Sequence, residues 1–310
     1  MDDLTILIPC YNVEMCLDKT LESVIGKAKV VLVDDGSSDN TKNILRNIKD
    51  KDVEVFYNKE NMGLAETRNI LVSKVKTKYF TFLDAGDYLD LSVLDKKLFN
   101  KNYDLISYNL VLVNEEGDTI NIHDRLEYEG LGEKFLEALI KNKKSFDSAC
   151  SYIYKTSFFR GLNIKYLKGY NHEDFGVTPF VILKAERVLS LNKNLYYYVQ
   201  DSNSITRGLS PEKKYNNALG VFKNAERLIA LGSNKIYLSF ITNALVSKID
   251  DLEEPYKTKY IKKLNSLNIH KYYLNNPKGI IKKILYLIKY RGIKWQKLVL
   301  SFQFIMLVNI

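Results

Sequence analysis

The sequence is poor in cysteine, and the three it has, Cys10, Cys16 and Cys150, are odd in number and lack CxxC spacing. That excludes a disulfide framework and a thiolate zinc site, and fits a reducing cytosol. The amino terminus, MDDLTILIPCYN, has no basic n-region and reaches Tyr11-Asn12 after a very short apolar run, so no cleaved leader is expected. The apolar run at 298–310 is broken by Ser301, Gln303 and Asn309 and is too short to span a bilayer. No GxGxxG follows the first apolar run, which argues against a dinucleotide-binding dehydrogenase. No Gly-rich, Lys/Arg-bearing phosphate loop opens there either, which argues against a nucleotidyltransferase. The last absence is of acid. Residues 255–310 carry twelve Lys/Arg and no Asp/Glu, against 34 basic and 37 acidic residues before them, so the formal charge of +9 belongs wholly to the tail. A charge so placed argues against nucleic-acid binding and suits an anionic membrane surface.

Hydrophobic residues make up 46% and charged residues 27% of the 310, the composition of a globular chain long enough for one and a half to two domains. Short β-branched or aromatic runs at 5–8, 30–33, 53–57 and 79–83 alternate with helical patterns at 13–25, 39–48 and 64–75, the last two led by turn residues. Such alternation predicts a parallel sheet. Ser38 or Asp39 is the expected N-cap of the second helix. After Asp87 the pattern is mixed, with strands expected at 105–113, 119–122, 150–154 and 195–199 and helices near 133–141 and 174–184. Beyond Pro211 every segment reads as helix: 211–231, 234–252, 255–266, 278–290 and 294–306.

Two apolar strands end in carboxylates. Residues 31–39 run into Asp34-Asp35-Gly36-Ser37-Ser38-Asp39, and residues 79–87 run into Asp84-Ala85-Gly86-Asp87. In open α/β sheets ligands bind at the carboxyl ends of strands, and a divalent cation on a nucleotide phosphate wants one or two carboxylates plus water. A turn-forming and capping role explains either cluster alone, but two on one sheet edge favour a ligand site. A third acidic pair, Glu173-Asp174, follows Tyr170-Asn171-His172 and opens an apolar run. It could serve as a base or merely favour a helix amino terminus. The stretch 196–207 ends in Ser204-Ile205-Thr206-Arg207, hydroxyls and a guanidinium suited to a diphosphate.

Taken in order, Ile8-Pro9-Cys10-Tyr11-Asn12, Val33-Asp34-Asp35-Gly36-Ser37, Asn61-Met62-Gly63 through Arg68-Asn69, and Phe82-Leu83-Asp84-Ala85-Gly86-Asp87 resemble the motifs of the family 2 glycosyltransferases. The resemblance is strong over residues 4–90, looser over 150–208 and silent on the tail. It implies a GT-A fold: a Rossmann-like α/β mixed sheet flanked by helices. It also implies an inverting transfer from a nucleoside-diphosphate sugar, usually a UDP-sugar, with Mg²⁺ or Mn²⁺. The catalytic domain would be 1–208, with a nucleotide-sugar half at 1–100 and an acceptor half at 101–208, and 209–310 would form a basic helical C-terminal subdomain.

Carried over residue by residue, Pro9 and Tyr11 would line the nucleoside pocket and Asp35 would contact the uridine. Arg68 would lie near the base or diphosphate, and Asp84 would face the sugar. Asp174 would be the general base at the acceptor hydroxyl. The family's run is Asp-x-Asp-Asp, and its third position, the common metal ligand, is Gly86 here. Either Asp87 takes over as metal ligand or metal dependence is weakened, and Arg207 is the expected phosphate contact. The implied acceptor is a glycan or polyprenyl-linked glycan of cell-envelope polysaccharide synthesis, met by a cytoplasmic enzyme whose tail lies on the inner face of the membrane or packs against another subunit. The rival reading is a non-catalytic module that only binds a sugar nucleotide or docks a partner enzyme.

Overall fold

The computed structural model describes residues 1–200, 209–232 and 234–267, and the chain divides into two compact units, Met1–Leu209 and Ser210–Ile310. The first unit is built on a ten-stranded mixed sheet. Strands β1 (Leu4–Cys10), β2 (Lys29–Asp34), β3 (Val53–Tyr57) and β4 (Tyr79–Phe82) are parallel and lie in the order β3-β2-β1-β4. Their apolar residues form continuous runs because helices cover both faces; β4 is buried throughout, and β1 at every residue but Pro9. The sheet continues through β9 (Tyr152–Lys155), β6 (Leu105–Val113), β10 (Val188–Val199) and β5 (Tyr88–Leu89), with β7 (Thr119–His123) on β6 and β8 (Tyr128–Gly130) on β10. Strand β9 runs antiparallel to both β4 and β6 and so joins the parallel half to the rest.

The helices of this unit are α1 (Leu17–Val24), α2 (Thr41–Arg46), α3 (Leu64–Lys74), α4 (Gly132–Lys141), α5 (Thr156–Gly161) and α6 (Thr178–Lys184). The helical pattern expected from residue 13 begins at Leu17 instead. Residues 12–14 are held in a loop: the Asn12 N–H donates to Ser37 Oγ (3.0 Å), Val13 N–H to Thr41 Oγ1 (2.9 Å) and Glu14 N–H to Asp39 Oδ2 (3.1 Å). In return Asn12 Oδ1 accepts from the Ser38 N–H at 2.8 Å. These bonds tie residues 12–14 to the 37–41 segment in a non-helical path, with Asn12 at φ 52°. They also shorten the second helix, whose N-cap position is Asn40 rather than Ser38 or Asp39. Asp39 contributes by accepting from Thr41 N–H at 3.0 Å.

Gly36 makes this loop pair fit. It has φ +73°, and a Cβ there would lie 2.7 Å from the Glu60 carbonyl carbon, so neither the conformation nor the space admits a side chain.

In the second unit the described helices are α7 (Pro211–Leu231), α8 (Lys235–Ser247) and α9 (Tyr256–Ser266). Ser210 caps α7 through Lys213 N–H, and Asn234 caps α8 through Ile236 and Tyr237 N–H. Fully buried Leu228, Ile241, Leu245, Tyr260 and Leu264 make its core. The helices expected at 278–290 and 294–306 lie outside the described residues. Among those described, no helix is long and apolar enough to cross a membrane.

Candidate active site

The carboxyl ends of β1, β2 and β4 converge on one edge of the sheet, with the expected site residues distributed along it. At the β2 end, Asp35 is 3% exposed and fully engaged. Its Oδ1 accepts from Asn58 Nδ2 (2.7 Å) and Met62 N–H (2.9 Å), and its Oδ2 accepts from Gly63 N–H (2.8 Å). The residue expected at the uridine thus pins the 58–63 segment to the sheet. At the β1 end Pro9 is half-buried and Tyr11 is 47% exposed, free to present its ring to a flat ligand.

At the β4 end, Asp84 keeps 41% of its side chain exposed. Arg68, projecting from α3, donates through one terminal nitrogen to Asp84 Oδ1 at 3.0 Å. Through the other it donates to Glu173 Oε1 at 2.7 Å and to Asp174 Oδ1. The Arg68 side chain is 2% exposed and lies over the Phe82 ring at 5.4 Å. One buried cation therefore gathers three carboxylates from two distant segments. A buried guanidinium with fixed forked donors does this well, because each carboxylate offsets its desolvation. Arg68, expected near the base or diphosphate, is in this structure committed to the acidic cluster.

Asp174 precedes α6. Its main-chain carbonyl accepts from Val177 and Thr178 N–H, and its Oδ2 accepts from Ala149 N–H at 2.9 Å. The helix expected from residue 174 starts at Thr178, after a turn at 173–177. The Asp174 side chain stays 22% exposed. Burial pushes its carboxyl up to about 7; the Arg68 charge opposes the rise and Glu173 adds to it. A carboxyl whose proton affinity is raised while its face stays partly open is suited to take a proton from a substrate hydroxyl.

Asp87, the expected metal ligand, has a different setting. It is 5% exposed, its Oδ2 accepts from the Tyr196 hydroxyl at 2.5 Å and its Oδ1 from Val199 N–H at 2.9 Å. Burial, with the Asp84 charge beside it, pushes its carboxyl up to about 7 against those two donors. Asp87 thus braces β10 against the β4 end, and the carboxylate open to a cation is Asp84. One exposed carboxylate fits a Mg²⁺ or Mn²⁺ that takes its other ligands from water and a diphosphate. Among the described residues no cluster of three or more His, Cys, Asp or Glu could hold a metal by itself.

Gly86, the departure from the family's run, has φ +102°, a backbone that an aspartate would adopt only under strain. Its N–H donates to Thr20 Oγ1 at 2.9 Å, and that hydroxyl donates on to the Asp87 carbonyl at 2.8 Å, which fixes the turn to α1.

Two contributors escape sequence reasoning. The Tyr196 hydroxyl, besides donating to Asp87, accepts from the Asp84 N–H at 3.2 Å. The buried Cys150 thiol donates to Asp84 Oδ2 at 3.4 Å and is held neutral by burial, with the Asp84 charge adding to the effect. No spacing signals either, since they lie 112 and 66 residues from Asp84. Arg207 lies outside the described residues.

The glycosyl transferase family 2 model matches residues 5–162, just over half of the chain. A curated relative, glycosyltransferase GlyA of Streptococcus pneumoniae serotype 4, is 29% identical over 228 residues, covering 66% of this chain and 32% of its own. The teichoic acid poly(glycerol phosphate) polymerase of Staphylococcus epidermidis is 31% identical over 183 residues, 55% of this chain and 24% of its own. The chain therefore spans about a third or less of these two relatives. Among solved structures, S. aureus TarS 1-349 in complex with UDP-GlcNAc superposes with a TM-score of 0.65 at 17% identity, over 87% of this chain and 80% of that one, and shares the GT-A fold. Fold, strand-end carboxylates and the family match agree, and the chain belongs to glycosyl transferase family 2.

Proposed function

We propose that this protein transfers a sugar, with inversion, from a UDP-sugar to a hydroxyl of a glycan or polyprenyl-linked glycan. The observation that carries the reading is the juxtaposition across Arg68 of Asp84, from the donor-side strand edge, and Asp174, from 90 residues further along the chain. A transferase needs two carboxylates at one place but in different states. One must stay ionised beside the donor, and one must be able to take a proton from the acceptor. Asp84, with its Arg68 and Cys150 donors, fills the first role. Asp174, with a carboxyl near 7 and a partly open face, fills the second.

In this reading Pro9 and Tyr11 receive the nucleoside, and Asp35 shapes the wall beside them by holding the 58–63 segment. Asp84 orients the sugar and would share in holding Mg²⁺ or Mn²⁺, which when bound offsets the growing charge of the diphosphate. Arg207 keeps its proposed phosphate role on its sequence setting. The acceptor hydroxyl attacks the anomeric carbon from the side opposite the diphosphate and passes its proton to Asp174. Arg68 holds Asp174 in place and stabilises its ionised form. UDP as the nucleotide draws support from the TarS complex, and a cell-wall polymer acceptor from the teichoic acid polymerase. The twelve basic residues of 255–310 support a peripheral position at an anionic membrane, where such an acceptor would be anchored.

The test is UDP release from a panel of UDP-sugars, with membrane-extracted polyprenyl-linked glycans as acceptors. Acceptor-stimulated release is expected with at least one donor. Tight donor binding with no release under any acceptor would instead favour the non-catalytic binding module.

A further inference from the structure

Strand β10 does not pair evenly with β6. Between Ser190↔Ser107 and Asn194↔Asn109, four residues of β10 advance against two of β6, and between Asn194↔Asn109 and Tyr196↔Leu110 two advance against one. Each bulge re-aims the side chains beyond it. Tyr196 turns inward to Asp87, so Tyr197 emerges on the opposite face of the strand. There it stacks on Tyr88 with ring centroids 4.8 Å apart and 7° between planes.

The same outer face carries a polar network that the catalytic cluster does not use. Asn109, 3% exposed in an otherwise apolar stretch of β6, donates to Asn192 Oδ1 (2.8 Å) and Asn194 Oδ1 (2.9 Å), and accepts from Arg125 N–H (2.7 Å). Anchoring both amide oxygens aims both amide NH₂ groups outward, where neither has a protein partner among the described residues. A buried asparagine is costly in a strand unless it is fully bonded, so this cluster is built rather than incidental. It lines a cavity of about 750 Å³ together with Asp90, Lys193 and Tyr197. A second hollow, sharing Asp90 and Tyr197, extends it past Tyr88 to Lys19.

We propose that this outer face is a second carbohydrate site, which holds a neutral saccharide segment away from the reacting centre. A pyranose offers an apolar face to a ring such as Tyr197 and vicinal hydroxyls that each donate and accept. The outward amides of Asn192 and Asn194 supply donors, and Asp90, whose Oδ1 is taken by Ser92, supplies its other oxygen as an acceptor. Asp90 and Lys193 line the groove together and Asp124 is paired with Lys144, so the groove's charges are balanced and a neutral segment suits it better than a polyanion. The site stands on this face alone and is independent of the role given to Asp174.

Saturation-transfer NMR on the full chain tests it, with UDP and Mg²⁺ in excess to fill the donor site. The probes are cellotetraose, chitotetraose, maltotetraose and an oligomer of poly(glycerol phosphate). At least one neutral tetrasaccharide is expected to bind, with Kd raised tenfold or more in Tyr197→Ala and in Asn192→Ala and unchanged in Asp174→Asn. Asn192→Asp keeps the oxygen that accepts from Asn109 and removes only the outward NH₂, so it decides the matter, with the same tenfold loss expected, if Tyr197→Ala or Asn192→Ala is unstable. The proposal is overturned if no neutral probe binds, if binding survives Asn192→Ala, if Asp174→Asn alone removes it, or if the polyanion is preferred.

Discussion

Two aspartates in this molecule share an elevated carboxyl near 7 and almost nothing else. Asp174 faces Arg68 and remains partly open. Asp87 is closed over by Tyr196 and Val199 and touches no open space of consequence. In both, burial is the first cause of the shift, so the shift alone does not distinguish a base from a brace. Both oxygens of each are bonded, and each has one on a main-chain N–H; what separates them is that Asp174 is paired with Arg68 and keeps a partly open face that a substrate hydroxyl could reach.

Replacing Asp174 by Asn keeps its shape and removes the proton acceptor. Turnover with saturating acceptor should fall by about 10²–10⁴-fold, while donor binding measured by calorimetry survives. Near-parental turnover would place the base elsewhere. Asp84→Ala should weaken Mg²⁺-dependent donor binding by roughly tenfold or more, a loss of about 1.4 kcal/mol, and by more than Asp87→Ala does. The opposite ranking would return the metal to Asp87.

Asp87→Asn should act on stability instead. Its folded carboxyl lies above the unfolded value near 3.9, so ionising it costs the fold free energy as pH rises from about 4 to about 7. The variant should flatten that part of the pH–stability curve by an amount on the order of a few kcal/mol, read by denaturant unfolding. It should also leave the acid limb of kcat/KM near pH 7, because that limb belongs to Asp174. Tyr196→Phe removes the donor to Asp87 and should cost about 1–3 kcal/mol of stability in the same assay.

The expectation furthest from the catalytic comparison concerns the tail, where Lys/Arg near an anionic surface contribute about 1 kcal/mol each. A chain ending at Leu267 keeps the α9 core residues and loses eight of the twelve basic residues of 255–310. It should no longer sediment with anionic liposomes at low salt, whereas the full chain should do so and should ignore zwitterionic ones. Equal binding by both chains would make the tail a packing surface.

The parallel half was readable because its signals are local. A strand buried on both faces writes a continuous apolar run, and Asp34-Asp35-Gly36 and Asp84-Ala85-Gly86-Asp87 sit directly at strand ends. The expected bounds of α1 and α6 failed where partners far along the chain hold the preceding residues, Asn12 to Glu14 by the 37–41 loop and Asp174 by Ala149 and Arg68. Strands β5 and β8, two and three residues long, carry no period and exist only through pairing with β10. The site shows the same division. Asp84 and Asp174 stood out as acids in motif settings. The hub that joins them, Arg68, and the brace from Tyr196 became visible only when residues more than a hundred positions apart were brought together.

The central claim is a single displacement with Asp174 on the acceptor side, and its most direct test is the stereochemistry of the product. An α-linked UDP-sugar turned over by the parent chain should give a β-linked product, read from the anomeric coupling in proton NMR. An α-linked product would require a second displacement or a different geometry at the reacting carbon, and would contradict the roles assigned to Asp84 and Asp174.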